Sequence, residues 1–160
     1  MAEIMQDRVE KLKDLDVFVY HGKIFIPNTY TAGLTGSRFL IELRDNKRIM
    51  ATRCQACEQV YVPARSVCKY CYGQLTEWVP VSDVGTVETY TVDGHSNGVQ
   101  PMDPPIIYGI IKLDGATTGL VHMISGVDFE KLAIGMRVKA VFAEKRVGSI
   151  LDIKYFAPLA

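Results

Sequence analysis

The sequence predicts a mainly β protein with an N-terminal helical arm, a small metal-stapled ribbon and a C-terminal five-stranded barrel. Three observations carry that prediction. All four cysteines fall between positions 54 and 71, as two Cys-x-x-Cys pairs. From residue 84 onward, short apolar runs alternate with turn residues, the pattern of a small all-β domain. Before residue 47, apolar side chains recur at helical spacing between charges. The 160 residues suffice for one ordinary domain or two small ones, and the divisions along the chain read as 1–47 (arm), 48–80 (ribbon) and 81–160 (barrel).

The arm begins with a helix predicted over 3–15, its apolar positions being Met5, Val9, Leu12 and Leu15. The runs 17–20 and 23–26 flank His21-Gly22 and read as a small hairpin or extended arm. A Thr- and Gly-containing loop, 29–36, follows. Ser37 then caps a short helix over 38–44, with Phe39, Leu40 and Leu43 on its apolar face. The chain turns at Asn46-Lys47 into a strand, 48–52, that feeds the first cysteine pair.

Cys54-Gln55-Ala56-Cys57, ten residues, and Cys68-Lys69-Tyr70-Cys71 have the spacing that sets four thiolates at the corners of a tetrahedron. The intervening 60–63 reads as a strand leaving the first knuckle, and 75–80, containing Trp78, as the exit strand. A structural Zn2+ site is the reading adopted, with Cys54, Cys57, Cys68 and Cys71 as ligands. Iron uses the same donor set and stays open. Two disulfides do not suit the predicted cytoplasmic setting, since the start Met-Ala-Glu-Ile has neither a basic nor an apolar leader region. A redox pair of thioredoxin type would be single and would open a helix in a βαβ unit. With four thiolates on a metal, no cysteine is left to act as a nucleophile, and no catalytic residue is assigned.

Barrel strands are predicted at 84–92, 106–113, 117–124, 137–143 and 149–156. Asp114-Gly115 marks a hairpin, because both residues tolerate positive φ. Asp128 caps a single helical turn, 129–134, closed by Gly135. Five strands with a short helix between the third and fourth have the order of an OB barrel. Ile106, Ile107, Ile110 and Ile111 are expected in its core. Trp78 and Phe156 are expected to pack ribbon against barrel, and His122 to be a packed or edge residue of the third strand.

The ordered set of motifs is more specific than the cysteines alone. It comprises Thr52-Arg53-Cys54-x-x-Cys57, Tyr61-Val62-Pro63-Ala64-Arg65, Cys68-x-x-Cys71, Glu77-Trp78-Val79, Gly85-Thr86-Val87-x-x-Tyr90-Thr91-Val92, Pro105-Ile106-Ile107-Tyr108-Gly109, Leu113-Asp114-Gly115 and Ile134-Gly135-Met136-x-Val138. Over roughly residues 37–158 the chain resembles a bacterial and archaeal family of acyl-CoA-associated proteins that join a rubredoxin-like zinc ribbon to an OB-fold. It departs from many of them at Glu58, where they carry Gly, and at Lys69, where they carry Pro. The stretch from Tyr20 to Phe39 is similar to that of a subgroup paired with thiolases and related aldolases of aromatic or steroid catabolism.

The resemblance implies a small, non-catalytic partner of a larger thiolase-fold subunit that acts on an acyl-CoA thioester. Residues expected to meet the CoA phosphates by charge-assisted hydrogen bonds are Arg53, Arg65, Lys145 and Arg146. His95, in a loop between the first two barrel strands, is a further candidate for ligand contact. Each of these also suits an ordinary solvated surface position.

Charge bears on the competing class, a nucleic-acid-binding OB and zinc-ribbon module. Lys plus Arg and Asp plus Glu both number 18, and residues 81–160 hold 7 basic and 9 acidic side chains. A phosphate-tracking surface needs a clustered positive excess, so the distribution counts against nucleic acid. The apolar stretch 116–127 is only 12 residues long, short of the roughly 18–20 a membrane helix needs.

Overall fold

The computed structural model describes residues 26–27, 29–95 and 100–159. The helix expected at 3–15 lies outside the described residues, as do the paired segments expected over 17–26 except for Ile26. The chain divides into Met1–Thr31 and Ala32–Ala160, and all elements below belong to the second unit.

Helix α1 spans Gly33–Asn46, beginning five residues earlier than the sequence suggests. Ser37 is therefore an interior residue, and Ala32 at the N-cap makes no side-chain cap. Phe39 and Leu43 are its buried residues, as expected from their spacing. Lys47 adopts the left-handed conformation, φ 51°, and its N–H closes back on the Glu42 carbonyl. That reversal delivers the chain into strand β1, Ile49–Arg53.

β1 is the middle strand of a three-stranded antiparallel sheet in the order β2-β1-β3. Its partners are β2, Val60–Tyr61, and β3, Glu77–Val81. Ile49, Met50, Ala51 and Thr52 are all buried, as a central strand covered on both faces should be. The buried Thr52 hydroxyl donates to the Arg65 carbonyl and accepts from the Arg65 N–H, each at 2.9 Å. The loop that carries the second cysteine pair is thereby tied to the sheet.

Strands β4 (Val84–Asp93), β5 (Ile106–Leu113), β6 (Gly119–Ile124), β7 (Arg137–Phe142) and β8 (Ile153–Pro158) form a closed barrel. Its order is β4-β5-β6-β8-β7, that of an OB-fold. The one parallel contact, Ile124 beside Phe156, is where β6 meets β8. Gly85 of β4 faces β5 so closely that an added Cβ would sit 2.6 Å from the Lys112 carbonyl oxygen.

Three differences from the sequence reading have physical causes. The third barrel strand starts at Gly119 rather than 117, because Thr117 and Thr118 are used elsewhere. Their hydroxyls accept from the N–H groups of Val60 and Val62, both at 2.8 Å, and donate back to the same residues' carbonyls. The barrel hairpin is thus laced to the ribbon's edge strand. The last strand starts at Ile153 rather than 149, because Ser149 and Asp152 form a capping box around the 3-10 turn Ile150–Asp152. Ile110 is partly exposed, whereas Ile106, Ile107 and Ile111 are buried. The period-2 alternation after Gly109 turns Ile110 outward.

One apolar cluster runs through both parts. It joins Phe39 and Leu43 of α1, Ile49 and Ala51 of β1 and Val62 to the barrel interior around Val87, Ile111, Leu120, Val138 and Phe156. Trp78 packs on this cluster, as expected, beneath the Arg38 guanidinium 4.4 Å from its ring centroid. A second, smaller cluster holds Cys54, Tyr61, Cys68 and Leu75. Among the described residues no helix is long and apolar enough to cross a membrane.

Candidate metal centre

Each Cys-x-x-Cys pair occupies a tight knuckle closed by its own backbone. The Cys54 N–H bonds the Gln59 carbonyl at 2.8 Å, and the Cys68 N–H bonds the Gly73 carbonyl at 3.0 Å. The residue after each second cysteine is left-handed: Glu58 at φ 56° and Tyr72 at φ 58°. Glycine adopts that conformation without strain, whereas an L side chain resists it. The departure from Gly at position 58 therefore falls on a position whose backbone asks for glycine.

The two knuckles bring the four sulfurs within 4.8 Å of one another, and all four cysteines are free of disulfides. In a tetrahedral site with metal–sulfur bonds of about 2.3 Å, the sulfurs stand about 3.8 Å apart, so the arrangement suits one ion. Cys54 and Cys68 are buried and Cys71 is exposed. The chemistry of the thiols agrees. The Cys68 thiol is lowered to about 6, first by the Cys71 backbone N–H and then by the Tyr61 hydroxyl. The Cys57 thiol is pushed up to about 12, first by its hydrogen bond with the Cys71 thiol. Crowded sulfurs hold protons between them unless a cation replaces those protons.

Tyr61 was legible in the sequence only as a strand residue. In the structure it is fully buried, and its hydroxyl lies 3.2 Å from Cys68 Sγ. Burial, followed by the Cys68 thiol, pushes that hydroxyl up to about 12, so it keeps its proton.

The five candidate CoA contacts do not form one cluster. Arg53 ends β1 and, with Cys71 and Glu77, lines a groove of about 190 Å³ beside the knuckles. Arg65 is on the neighbouring loop, 5.7 Å above the Tyr61 ring, so these two share the ribbon. Lys145 and Arg146 sit in the turn after β7. Arg146 already donates to the carbonyls of Arg44, Ala143 and Glu144 at 2.7–3.2 Å. His95 follows the opposite end of the ten-residue strand β4, with its N–H on the Asp93 carboxylate at 3.0 Å.

His122 is buried, as the sequence reading allowed. Its Nδ1 accepts from the Met123 N–H at 2.9 Å and its Nε2 lies 3.2 Å from the Ile150 carbonyl, which fixes the neutral Nε2–H tautomer. Burial holds its pKa below the ordinary histidine value, against those two bonds. It floors an open, mainly apolar depression of about 340 Å³ that Tyr108, Val121 and Leu151 help to line.

Comparison with known proteins places these features. Residues 42–77 match the ChsH2 rubredoxin-like zinc ribbon domain, and residues 78–143 match the ChsH2 C-terminal OB-fold domain. Together the two matches span more than half of the chain. The chain belongs to the ChsH2 family. A "DUF35 domain-containing scaffold protein" of Methanocaldococcus jannaschii is 29% identical over 101 residues, which cover 62% of this chain and 71% of that protein. Among solved structures, the "Ltp2-ChsH2(DUF35) aldolase" is similar, with a TM-score of 0.58 and 24% identity. The likeness covers 76% of this chain and 93% of that one. A DUF35-family protein of unknown function from Sulfolobus solfataricus gives a TM-score of 0.58 and 21% identity, covering 79% of this chain and 84% of that one. At these identities the structural likenesses are ones of fold. The ChsH2 family thus has here its zinc ribbon and OB barrel in the order the sequence suggested.

Proposed function

We propose that this chain is the non-catalytic subunit of a heteromeric thiolase-type enzyme acting on acyl-CoA, with a structural Zn2+ in its ribbon. The observation that carries the reading is the convergence of all four of the protein's cysteines on one point. Thiolytic cleavage of a 3-oxoacyl-CoA needs a cysteine nucleophile, a proton acceptor for the incoming CoA and an oxyanion hole. With its thiols committed to a metal, the chain leaves the nucleophile to a larger thiolase-fold partner. The family supports this: one relative is named a scaffold protein, and one structural neighbour is an aldolase assembled with a ChsH2 (DUF35) component.

The subunit's part is to order the partner or complete its CoA site. The apolar depression beside Val121 and Leu151 supports contact with a larger protein, and Arg53, Arg65 and Lys145 are exposed cations for the CoA phosphates. His95 is the further ligand contact, and Arg146 serves CoA only through what its carbonyl bonds leave free. Within this reading the reaction belongs to cytoplasmic aromatic degradation, with (S)-2-benzoylsuccinyl-CoA as the 3-oxoacyl-CoA cleaved.

The test is co-expression with a thiolase-fold chain from the same organism, sought first in the neighbouring reading frames. The two are expected to co-purify, and thiolysis is expected to need both. Full thiolysis by the larger chain alone overturns the proposal. Metal analysis separates zinc from iron, since the zinc protein is colourless.

A further inference from the structure

We infer that Tyr61 is a positioning residue of the metal centre, its hydroxyl donating a hydrogen bond to the Cys68 thiolate and so setting the donor strength of that sulfur. The inference goes beyond the proposed function and does not depend on which enzyme the chain serves.

The direction of the bond follows from its neighbours. The Lys69 N–H, which can only donate, lies 3.3 Å from the Tyr61 oxygen. That oxygen accepts there, and its own proton is left for Cys68 Sγ at 3.2 Å. The Tyr70 N–H reaches the same sulfur at 3.4 Å. Cys68 is fully buried, as is Tyr61, so no water solvates this sulfur once it carries negative charge. Buried charge is stable only where fixed donors replace water. Cys71, by contrast, is exposed and has solvent for that purpose. The strand pairing Thr52 with Tyr61 holds the ring in place, so the donor is preorganised before a metal arrives. Four thiolates on a divalent ion leave two excess negative charges, and a hydroxyl aimed at the most enclosed sulfur draws off part of that excess. Partners of this outer kind tune metal sites through the ligand atom they touch.

The experiment uses the full chain and Co2+ as the probe. Tyr61→Phe keeps the ring and removes only the hydroxyl. Its affinity for Co2+ is expected to fall about 10- to 100-fold in chelator competition. Its thiolate-to-cobalt charge-transfer bands are expected to move to lower energy, because the freed sulfur donates more strongly. Arg65→Met, which changes only the charge above the ring, is expected to leave the bands in place. A role confined to packing would weaken binding without moving the bands, and unmoved bands in folded Tyr61→Phe overturn the inference. Should that variant not fold, wild-type protein loaded with 113Cd decides. A proton–cadmium correlation from the Tyr61 hydroxyl through the Cys68 sulfur supports the inference, and a spectrum with the backbone N–H correlations but no hydroxyl one overturns it.

Discussion

Replacing Glu58 with glycine should tighten metal binding. Glu58 holds φ at 56° and Tyr72 at 58°, at matching places in the two knuckles. An L residue in the left-handed region loses about 1–2 kcal/mol relative to its preferred conformations. Glycine escapes that strain but gives up about 0.5–1 kcal/mol more backbone entropy on folding. The difference is a net gain of about 0.5–1 kcal/mol per site. A ribbon whose small cluster contains only Tyr61 and Leu75 besides cysteines folds together with its metal, so a gain in folding appears as a gain in affinity. Glu58→Gly is expected to raise zinc affinity about two- to fivefold in competition with a chromophoric chelator. Glu58→Ala keeps the Cβ and removes the carboxylate, so it separates conformation from charge. Equal gains from Ala and Gly would show that repulsion between Glu58 and the thiolates, rather than backbone strain, is what glycine relieves. No gain from Gly would refute the reasoning altogether.

Other outcomes follow from the barrel and its turns. Gly85→Ala places a methyl 2.6 Å from a neighbouring strand's carbonyl and is expected to lower stability by about 1–3 kcal/mol in thermal unfolding; an unchanged Tm would contradict the β4–β5 register. His122 is held neutral, its folded pKa lying below the unfolded value of about 6.5. The unfolded chain therefore binds more protons, and the stability from this group is complete above about pH 6.5 and lost as pH falls toward the folded value. His122→Gln should flatten the acid limb of Tm against pH, and an identical limb in both proteins would count against that role. Arg146→Ala removes three donated bonds and is expected to cost about 1–3 kcal/mol, whereas Arg53→Ala and Lys145→Ala should leave stability within about 0.5 kcal/mol and raise the KM for CoA in the assembled enzyme.

Much of this architecture is written locally in the chain. The run Ile106–Leu113 is bounded by Pro105 and by Asp114-Gly115, so β5 begins and ends where the sequence says. The cysteine spacing foretold the convergence of four thiols, because each knuckle is a local turn. What was not legible depends on contacts between distant segments. Gly33 and Gly36 argue against a helix, yet α1 begins there because the buried Phe39 and Leu43 anchor it to the shared core. Thr117 and Thr118 look like strand residues until the ribbon's edge presents Val60 and Val62 to their hydroxyls. Tyr61 looks like strand too, and its hydroxyl gains meaning only when the second knuckle folds over it. Arg146 shows the converse: a cation in a polar turn suggests an anion ligand, but its fork is directed at backbone carbonyls.

The measurement that bears most directly on the whole account is thiolysis by the reconstituted pair. The larger thiolase-like chain is assayed alone, with the zinc-loaded subunit and with a Cys54→Ser/Cys68→Ser subunit that lacks both buried ligands. CoA-dependent cleavage of a 3-oxoacyl-CoA is expected only with the zinc-loaded subunit. Equal rates in all three mixtures would contradict that dependence.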